Sequence, residues 1–229
     1  MERSMPVFGL PMIHCMENMA ALVVQAGMIP FLSSTVPGFS IGECTAPDMW
    51  FAEDTDGPWE WKGPVIEATG CAYGKLLGGK TAFVTREWYA DLANYRRNGD
   101  DFEIRFDEGR ATLNEKRIMD VLMSCPSMDA RTLKREAGFT KSSAFDSAIA
   151  RLQAQCFVTI TDFDYDYDRF GQRQGWAVTR YATPENHFGE DYIDQMYERD
   201  PQQSYERILA YLTGLLGREY EKQIIKLLG

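Results

Sequence analysis

Residues 112–155 read TLNEKRIMDVLMSCPSMDARTLKREAGFTKSSAFDSAIARLQAQ, and this stretch decides the predicted fold. Thr112 and Glu115 have the spacing of a capping box, in which a hydroxyl and a carboxylate satisfy free amides at a helix N-terminus. Apolar residues then recur at helical spacing, at Leu113, Ile118, Val121 and Leu122. The pattern predicts a first helix, which Pro126 closes.

Two further helices follow at short intervals. Asp129 opens a second helix, and Gly138 ends it because glycine tolerates the left-handed backbone of a helix C-terminus. A third helix is predicted over residues 141–155. Its apolar face is formed by Phe145, Ala148, Ile149 and Leu152. Three helices joined by tight turns are typical of a helix-turn-helix core.

Strand periodicity replaces helical periodicity after the third helix. CFVTITDFDYDYD, residues 156–168, alternates apolar or aromatic residues with polar ones, and GWAVTRYAT, residues 175–183, returns after a turn. Three helices followed by a two-stranded wing predict a winged helix-turn-helix domain. Trp176 on the return strand is expected to pack under the third helix, because an indole buries a large apolar area.

The segment before this domain contains signals for a smaller lobe. A buried helix is predicted over residues 13–27, and the prolines and Ser/Gly clusters of residues 29–43 predict an irregular connection rather than a strand pair. Two apolar runs around a glycine pair predict a hairpin over residues 70–85. A helix over residues 86–97 follows the hairpin.

The predicted fold class is mainly α with small β-hairpins (α+β). It consists of a winged helix-turn-helix, with two tandem winged-helix lobes as a possible arrangement. The N-terminal lobe covers residues 1–108 and the winged-helix domain residues 109–183. Residues 184–229 are predicted to be a helical segment that packs on the body.

The net charge of the chain disfavours a protein that binds DNA simply by covering its phosphates. The 229 residues have a formal net charge of -10, whereas affinity for nucleic acid comes largely from Lys and Arg that neutralise phosphates. Residues 4–61 contain no Lys or Arg, and cations become frequent from Lys62 to Arg151. Two interpretations stay open: a solvated surface of mixed charge, or a basic surface in the middle of the chain flanked by acidic ends.

Five scattered cysteines and two distant histidines predict no disulfide framework and no zinc site. We therefore expect no metal and no cofactor, and reduced thiols favour a cytoplasmic protein. No apolar run approaches the roughly 18 residues of a membrane helix, and the N-terminus lacks a signal-peptide pattern. No membrane association is expected.

Familiar catalytic motifs are missing from the sequence, so carboxylates are the candidates for chemistry. EDTDGPWEWKGPVIEATG, residues 53–70, places Glu60 between Trp59 and Trp61. A partly desolvated Glu60 suits acid/base work, with Asp54 and Asp56 as further catalytic candidates. The two indoles either stack on a flipped base or fill a core.

The third helix offers candidate nucleic-acid contacts. A winged helix usually inserts this helix into the major groove, and the polar and basic residues available there are Lys141, Ser142, Ser143 and Arg151. The wing fits DNA poorly, because Asp162, Asp164, Asp166 and Asp168 repel a polyanion. Either the wing points away from the duplex, or the module binds protein.

Long motifs of this sequence resemble one protein family. WFAEDTDGPWEWKGPVI, CAYGKLLGGKTAFVTREWYADLANYRRNGDDF, RLQAQCFVTITDF and GWAVTRYATPE are similar to the bacterial AlkZ-related family, from about residue 13 to the end. These proteins are distant relatives of winged-helix alkylpurine DNA glycosylases. The resemblance implies tandem winged helices that embrace a duplex and hydrolyse the N-glycosidic bond of alkylated purines.

The catalytic signature of those glycosylases is Gln, an aliphatic residue, then Gln or Asp, soon after an N-terminal helix. Here that place reads Gly27-Met28-Ile29-Pro30-Phe31, with no carboxamide or carboxylate. Gln153-Ala154-Gln155 matches the letters at the end of the predicted third helix, where one glutamine is expected to face solvent and the other to contact the next strand. The catalytic role is therefore not transferred, and enzyme activity stays open.

The same resemblance implies that the first hundred residues form a degenerate winged helix. Two lobes would then enclose a cleft, with Trp59 and Trp61 where the lobes meet. Its expected basic rim consists of Lys62, Lys75, Arg96 and Arg97.

Two functional hypotheses follow from the sequence. The first is a DNA-binding protein, with base excision as a possible activity and double-stranded DNA as the partner. The second is a non-catalytic winged-helix protein that acts through protein partners. A monomer or weak dimer is expected in either case.

Overall fold

The structure of the protein is a computed structural model that describes Gly9, residues 12–50 and residues 56–229. Its helices are α1 (Met16–Ala26), α2 (Ile41–Cys44), α3 (Pro58–Thr69), α4 (Arg86–Arg97), α5 (Phe102–Asp107), α6 (Leu113–Leu122), α7 (Ala130–Glu136), α8 (Ser142–Ala154), α9 (Pro184–Phe188), α10 (Glu190–Ile193), α11 (Pro201–Leu216) and α12 (Glu221–Leu228). Its strands are β1 (Met28–Pro30), β2 (Ala72–Leu77), β3 (Lys80–Val84), β4 (Met128–Asp129), β5 (Thr159–Tyr167) and β6 (Arg173–Ala182).

The strands of the described residues form one antiparallel sheet in the order β1-β3-β2-β5-β6-β4. The hairpin β2-β3 turns at Gly78 and Gly79, which both have positive φ. Tyr73 of this hairpin pairs with Ile160 of β5, so the two halves of the chain share the sheet. The fold is therefore a mixed α+β fold, as the sequence predicts at this level.

The helices of residues 112–155 form as the sequence predicts. Thr112 and Glu115 make the capping box, with Thr112 N donating to Glu115 Oε2 over 2.7 Å. Asp129 caps α7 by accepting from Arg131 N and Thr132 N, each at 3.0 Å. The strand β4 lies between α6 and α7 and pairs with β6. Its two residues are too few to show the alternation that predicts a strand.

The hydrophobic core is continuous from α1 through the sheet to the C-terminal helices. Leu22 of α1, Phe83 of β3, Leu152 of α8 and Leu212 of α11 are all fully enclosed. Each such side chain contributes about 1.5–3 kcal/mol of burial free energy. The core thus holds the sheet and its flanking helices in fixed positions.

The connection of residues 29–43 forms no strand pair of its own, but the single strand Met28–Pro30 at its start was not predicted. Ile29 pairs with Phe83 across β1 and β3. Pro30 fits there because β1 lies at the sheet edge, where a missing amide donor is tolerated. The strand is too short for the sequence to show its alternation.

The segment that contains both candidate tryptophans is the helix α3. Pro58 occupies its first turn, where proline needs no amide hydrogen bond, and Gly70 ends it in the left-handed conformation. Gly63 lets the strand β5 approach closely, since a Cβ atom at Gly63 would lie 3.0 Å from Asp162 Oδ1. This approach positions α3 beside the ribbon formed by β5 and β6.

The predicted core position of Trp176 is wrong, because its side chain is 85% exposed. Thr159 and Ala182, at the inner end of the ribbon, are buried, whereas Arg173 to Trp176 at the outer end are exposed. The ribbon therefore extends beyond the helices. Strand alternation reveals which side chains share a face, but not how far a strand extends beyond its support.

The C-terminal helix α11 packs on α4 through a buried polar contact. Asp91 accepts hydrogen bonds from Ser204 Oγ over 2.9 Å and from Arg207. Trp88 stacks on Tyr211 with ring centroids 4.1 Å apart. In the part of the chain that the structure describes, no helix has the length and apolar character to cross a membrane.

Candidate functional site

A cleft lies between α3 and the ribbon, and we call it the ribbon cleft. It encloses about 430 Å³. Its lining residues are Trp59, Glu60, Lys62, Phe163, Tyr165, Gly175, Trp176, Ala177 and Thr179. Helix α3 supplies the first three and the ribbon supplies the others, so the site forms only when the two elements pack together.

Lys62 is the buried cation of the ribbon cleft. Its side chain is 8% exposed, and Nζ lies 4.2 Å from the Trp59 ring centroid, 4.4 Å from that of Phe163 and 5.5 Å from that of Phe31. Ring faces attract a cation electrostatically. Burial nevertheless lowers the pKa of Lys62 to about 8, and the charge of Glu60 offsets part of this shift.

An aromatic cluster holds the rings around Lys62 in place. The Trp59 ring lies 5.3 Å from Phe31 and 6.3 Å from Trp50 in edge-on contacts, and Tyr73 lies 5.9 Å from Phe163. Trp59 remains 38% exposed. An indole that is fixed at one edge and open at its surface can stack on a flat ligand.

Glu60 combines a capping role with a place in the ribbon cleft. Its Oε2 accepts a hydrogen bond from Gly57 N over 3.0 Å at the start of α3. Gly57 is required there, since a Cβ atom would come within 2.4 Å of Met49 O. The cap fixes the Glu60 carboxylate near Lys62 and Tyr165.

Asp56 does not line the ribbon cleft but forms an ion pair with Arg173 of the ribbon. Its carboxylate receives two hydrogen bonds from Arg173, over 2.6 and 3.2 Å. The Arg173 guanidinium also lies 4.6 Å from the Tyr165 ring centroid. This forked ion pair ties the residues before α3 to the outer end of the ribbon. Asp54, the third predicted acid, lies outside the described residues.

The start of α8 forms a second polar surface. Lys141, Ser142 and Ser143 are exposed, and Lys134 Nζ donates to Ser142 Oγ over 2.6 Å. Arg151 is half exposed and also structural, because its Nε donates to the buried Glu115 over 3.2 Å. Lys141, Ser142 and Ser143 therefore lie at the start of α8 beside α7, whereas Arg151 lies near its other end beside α6.

All four aspartates of the ribbon are engaged by cations or amides, and Asp162 Oδ1 accepts from Phe163 N over 2.7 Å. Asp164 pairs with Arg180 at 2.8 Å, and Asp166 pairs with Arg131 at 3.0 Å. Asp168 accepts from two backbone amides in the turn. The negative charge that the sequence places on the wing is thus partly compensated within the described residues.

The expected basic rim does not assemble, because Lys62 alone of its four residues lines the ribbon cleft. Arg97 is 2% exposed, donates to Cys156 O over 2.7 Å and pairs with Glu185 at 3.2 Å. Arg96 donates to Leu228 O, while Lys75 is exposed on β2. Trp61 is buried in the core. The sequence shows these charges but not the partners that folding provides.

Gln153 is buried and Gln155 is half buried, so neither glutamine is fully open to solvent, although one was expected to face it. Gln153 Oε1 accepts from Lys75 N of β2 over 3.0 Å. Gln155 is half buried, and among the described residues its Oε1 has no hydrogen-bond partner. The Gln153 side chain accepts a hydrogen bond from a backbone amide inside the core, so it is not placed to activate water.

The ribbon side of the site was not predicted from the sequence. Phe163, Tyr165 and Trp176 line the cleft together with α3. The alternation of aromatic residues with aspartates over residues 162–168 carries this signal, because it places the rings on one face of a strand. Within the described residues, no group of His, Cys, Asp and Glu has a metal-binding arrangement.

Comparison with known proteins identifies one family. The family model with the description AlkZ related matches residues 13–229. No curated protein and no solved structure matches the chain. Since the match covers nearly every residue, the chain belongs to the AlkZ-related family.

Proposed function

We propose that the protein binds DNA through residues 109–183 as a winged helix and accepts an extrahelical base in the ribbon cleft. Its role would then be related to that of the DNA glycosylases. The observation that carries this proposal is the open aromatic cleft between Trp59 and Trp176, built against the ribbon of the same module. Membership of the AlkZ-related family supports a link to base excision.

The topology supports the winged-helix part of the proposal. Helix α6, strand β4, helices α7 and α8, and the ribbon β5-β6 follow in this order, with β4 paired to β6. In winged helices the third helix enters the major groove. Here that helix is α8, and its exposed start carries Lys141, Ser142 and Ser143. The tandem lobe of residues 1–108 and the helical segment of residues 184–229 belong to the same proposal.

The ribbon cleft suits a flat, unpaired base. Its volume of about 430 Å³ falls within the range of about 300–1,000 Å³ of small-ligand sites. Stacking of a base on an aromatic side chain contributes about 1–3 kcal/mol. The half-open indole of Trp59 and the exposed indole of Trp176 are the two rings available for stacking.

Fluorescence anisotropy tests DNA binding directly. Labelled duplexes with a normal pair, a mismatch or an abasic site are titrated with protein at several salt concentrations. We expect binding at low salt, tighter binding of the mismatch, and weaker binding of all duplexes by Lys141→Glu. Lys222→Glu reverses an equally exposed charge on α12 and should not weaken binding. Absence of binding at low salt would contradict the proposal.

Base excision is tested with Glu60 as the candidate that activates water, because it is the predicted acid that lines the ribbon cleft. Duplexes with alkylated purines are incubated with protein and then assayed for abasic sites. We expect release of the base by wild type and loss of release in Glu60→Gln. Glu67→Gln alters an exposed acid on the same helix and should keep activity. Equal activity of the Glu60→Gln variant would exclude this carboxylate.

A second candidate function is protein binding through the ribbon. Tyr167, Phe170 and Trp176 are exposed large side chains on this overhanging element, and aromatic residues are enriched in protein interfaces. This function would explain a protein that fails to bind DNA at any salt concentration. A cross-linking experiment with a photoreactive group at Phe170 would then identify a protein contact.

A further inference from the structure

Lys62 has a surrounding that is unusual for a buried lysine. Buried ammonium groups normally pair with carboxylates or carbonyl oxygens, because an unpaired buried charge is costly. Among the residues that the structure describes, no oxygen accepts a hydrogen bond from Lys62 Nζ, and its close contacts are the rings of Trp59 and Phe163. The Glu60 carboxylate is held by Gly57 N at the helix cap.

Lys62 also lies where a ligand would bind. Its side chain lines the ribbon cleft, so a molecule that enters between Trp59 and Trp176 comes into contact with this residue. Lysines in desolvated aromatic or apolar sites act as nucleophiles towards carbonyl carbons, because the neutral amine is more populated there. The lowered pKa of Lys62, about 8, agrees with this geometry.

We propose that Lys62 is an amine nucleophile that forms an imine with an aldehyde held in the ribbon cleft. Since this inference rests on the proposed function for its substrate, the aldehyde is the ring-opened deoxyribose of an abasic site in DNA. The rings of Trp59 and Phe163 hold the amine on the cleft wall, and Glu60 lies within electrostatic range of it.

The reaction is a condensation without oxidation or reduction. The nitrogen lone pair of neutral Lys62 attacks the aldehyde carbon and forms a C–N bond. The C=O π bond breaks as its electron pair moves to the oxygen, which takes up a proton. The resulting carbinolamine loses one water molecule as the nitrogen lone pair forms the C=N bond. A proton leaves the nitrogen and another reaches the departing hydroxyl, and Glu60 is the cleft carboxylate available for this transfer. Hydrolysis reverses the sequence.

The first experiment tests the amine without DNA. The full chain is incubated near neutral pH with a small aromatic aldehyde and cyanoborohydride, which reduces an imine to a stable secondary amine. Peptide mass mapping then measures the labelling rate of each lysine. We expect Lys62 to be labelled at least tenfold faster than the exposed Lys75, with a rate that rises with pH and levels above about 8. Equal or slower labelling of Lys62 overturns the inference.

The second experiment tests the abasic substrate. A duplex with one abasic site is incubated with protein and borohydride, and the covalent complex is measured on a denaturing gel. We expect trapping that maps to Lys62, that falls at least tenfold in Lys62→Arg, and that persists in Lys75→Arg. Thermal unfolding shows whether the Lys62→Arg variant is folded. If it is not, mapping the cross-linked residue in the wild-type complex still tests the assignment to Lys62.

The two experiments separate failure of the inference from failure of the proposed function. If the duplex binds in anisotropy but no complex is trapped at Lys62, the imine inference is overturned while DNA binding stands. If no duplex binds but the small aldehyde labels Lys62 selectively, the amine site is supported and the DNA substrate is overturned. Trapping at another residue overturns the assignment to Lys62.

Discussion

Lys62 is the buried cation of the ribbon cleft and the residue to which the proposed imine chemistry is assigned. Its aliphatic stem and Nζ lie among the rings of Phe31, Trp59 and Phe163, which attract the cation but cannot replace all the water that it loses. Because this lost hydration is only partly replaced, the pKa of Lys62 falls to about 8. At the residue scale, the site therefore combines a stacking surface with an amine that readily gives up its proton.

Replacement of Lys62 by Met should stabilise the protein below pH 8. The folded pKa of Lys62 is about 8 and the ordinary value is 10.5, so between these limits the unfolded chain binds more protons. The unfolding free energy of wild type therefore rises with pH in this window relative to the Met variant. We expect Lys62→Met to be more stable by about 1–3 kcal/mol below pH 8, with the difference shrinking towards pH 10.5.

Urea denaturation of wild type and Lys62→Met over this pH range measures the effect. Comparison of the two proteins cancels the contribution of the buried thiols and phenols, which also titrate there. Lys75→Met is the matched control and should show no pH-dependent difference, because its side chain is exposed. A constant difference between wild type and Lys62→Met across the window would refute the burial explanation.

Trp176→Ala should weaken binding of a duplex with an unpaired base without changing stability. Loss of one stacking ring costs about 1–3 kcal/mol of binding free energy. The side chain is 85% exposed, so the free energy of unfolding should change by less than about 0.5 kcal/mol. Anisotropy titrations measure the first effect and urea denaturation the second. Tyr167→Ala removes an exposed ring of the same ribbon that does not line the cleft and should leave binding unchanged.

At the scale of elements, the site forms where helix α3 packs against the ribbon of β5 and β6. Helix α3 supplies Trp59, Glu60 and Lys62, and the ribbon supplies the opposing wall. Their contact depends on Gly63, which admits β5, and on the Asp56–Arg173 ion pair near the outer end. The two ends of helix α8 have different surroundings. Its start is open to solvent, whereas near its end Gln153 bonds to β2 and Arg151 bonds to α6.

The contact between α4 and α11 gives a stability prediction for these elements. Asp91 is buried and accepts from Ser204 and Arg207, so its removal takes the acceptor from the buried Ser204 hydroxyl and from the half-exposed Arg207 guanidinium. We expect Asp91→Ala to lower the free energy of unfolding by about 1–3 kcal/mol. Urea denaturation measures this loss. Glu87→Ala, an exposed position on the same helix, should change it by less than about 0.5 kcal/mol.

The whole molecule combines a net charge of -10 with a local basic surface. Lys134, Arg135 and Lys141 lie near the turn between α7 and α8, far along the chain from the acidic N-terminal segment. The aspartates of the ribbon are partly matched by Arg131 and Arg180. The whole-chain charge therefore repels DNA at long range, so the proposed binding of DNA has to rely on the local basic surface.

The salt dependence of DNA binding should be modest. If three cations neutralise phosphates, the logarithm of the binding constant falls with the logarithm of salt concentration at a slope of about -3. Anisotropy titrations at several salt concentrations measure this slope. Lys141→Gln should reduce its magnitude by about 1, and Lys222→Gln should not alter it. A slope near zero with retained binding would show that contacts other than phosphate contacts hold the DNA.

The sequence by itself determined the local elements. Capping residues, apolar periodicity and glycine turns are sufficient for α1, α4, α6, α7, α8 and the two hairpins, because each depends on neighbours along the chain. The short strands β1 and β4 could not be predicted from the sequence, because they form only by pairing with β3 and β6. Of the predicted site residues, Trp59, Glu60 and Lys62 line the ribbon cleft.

Only the tertiary structure decided which charged and aromatic residues are available to a ligand. Arg97 is enclosed by Cys156 O, Glu185 and the Phe157 ring, whereas Trp176 projects into solvent from an overhanging ribbon. Burial depends on which distant segments pack together, and a side chain's type does not reveal its partners. The amine of Lys62 reaches the cleft because β5 passes against Gly63 and places Phe163 beside α3, a long-range contact that no local pattern specifies.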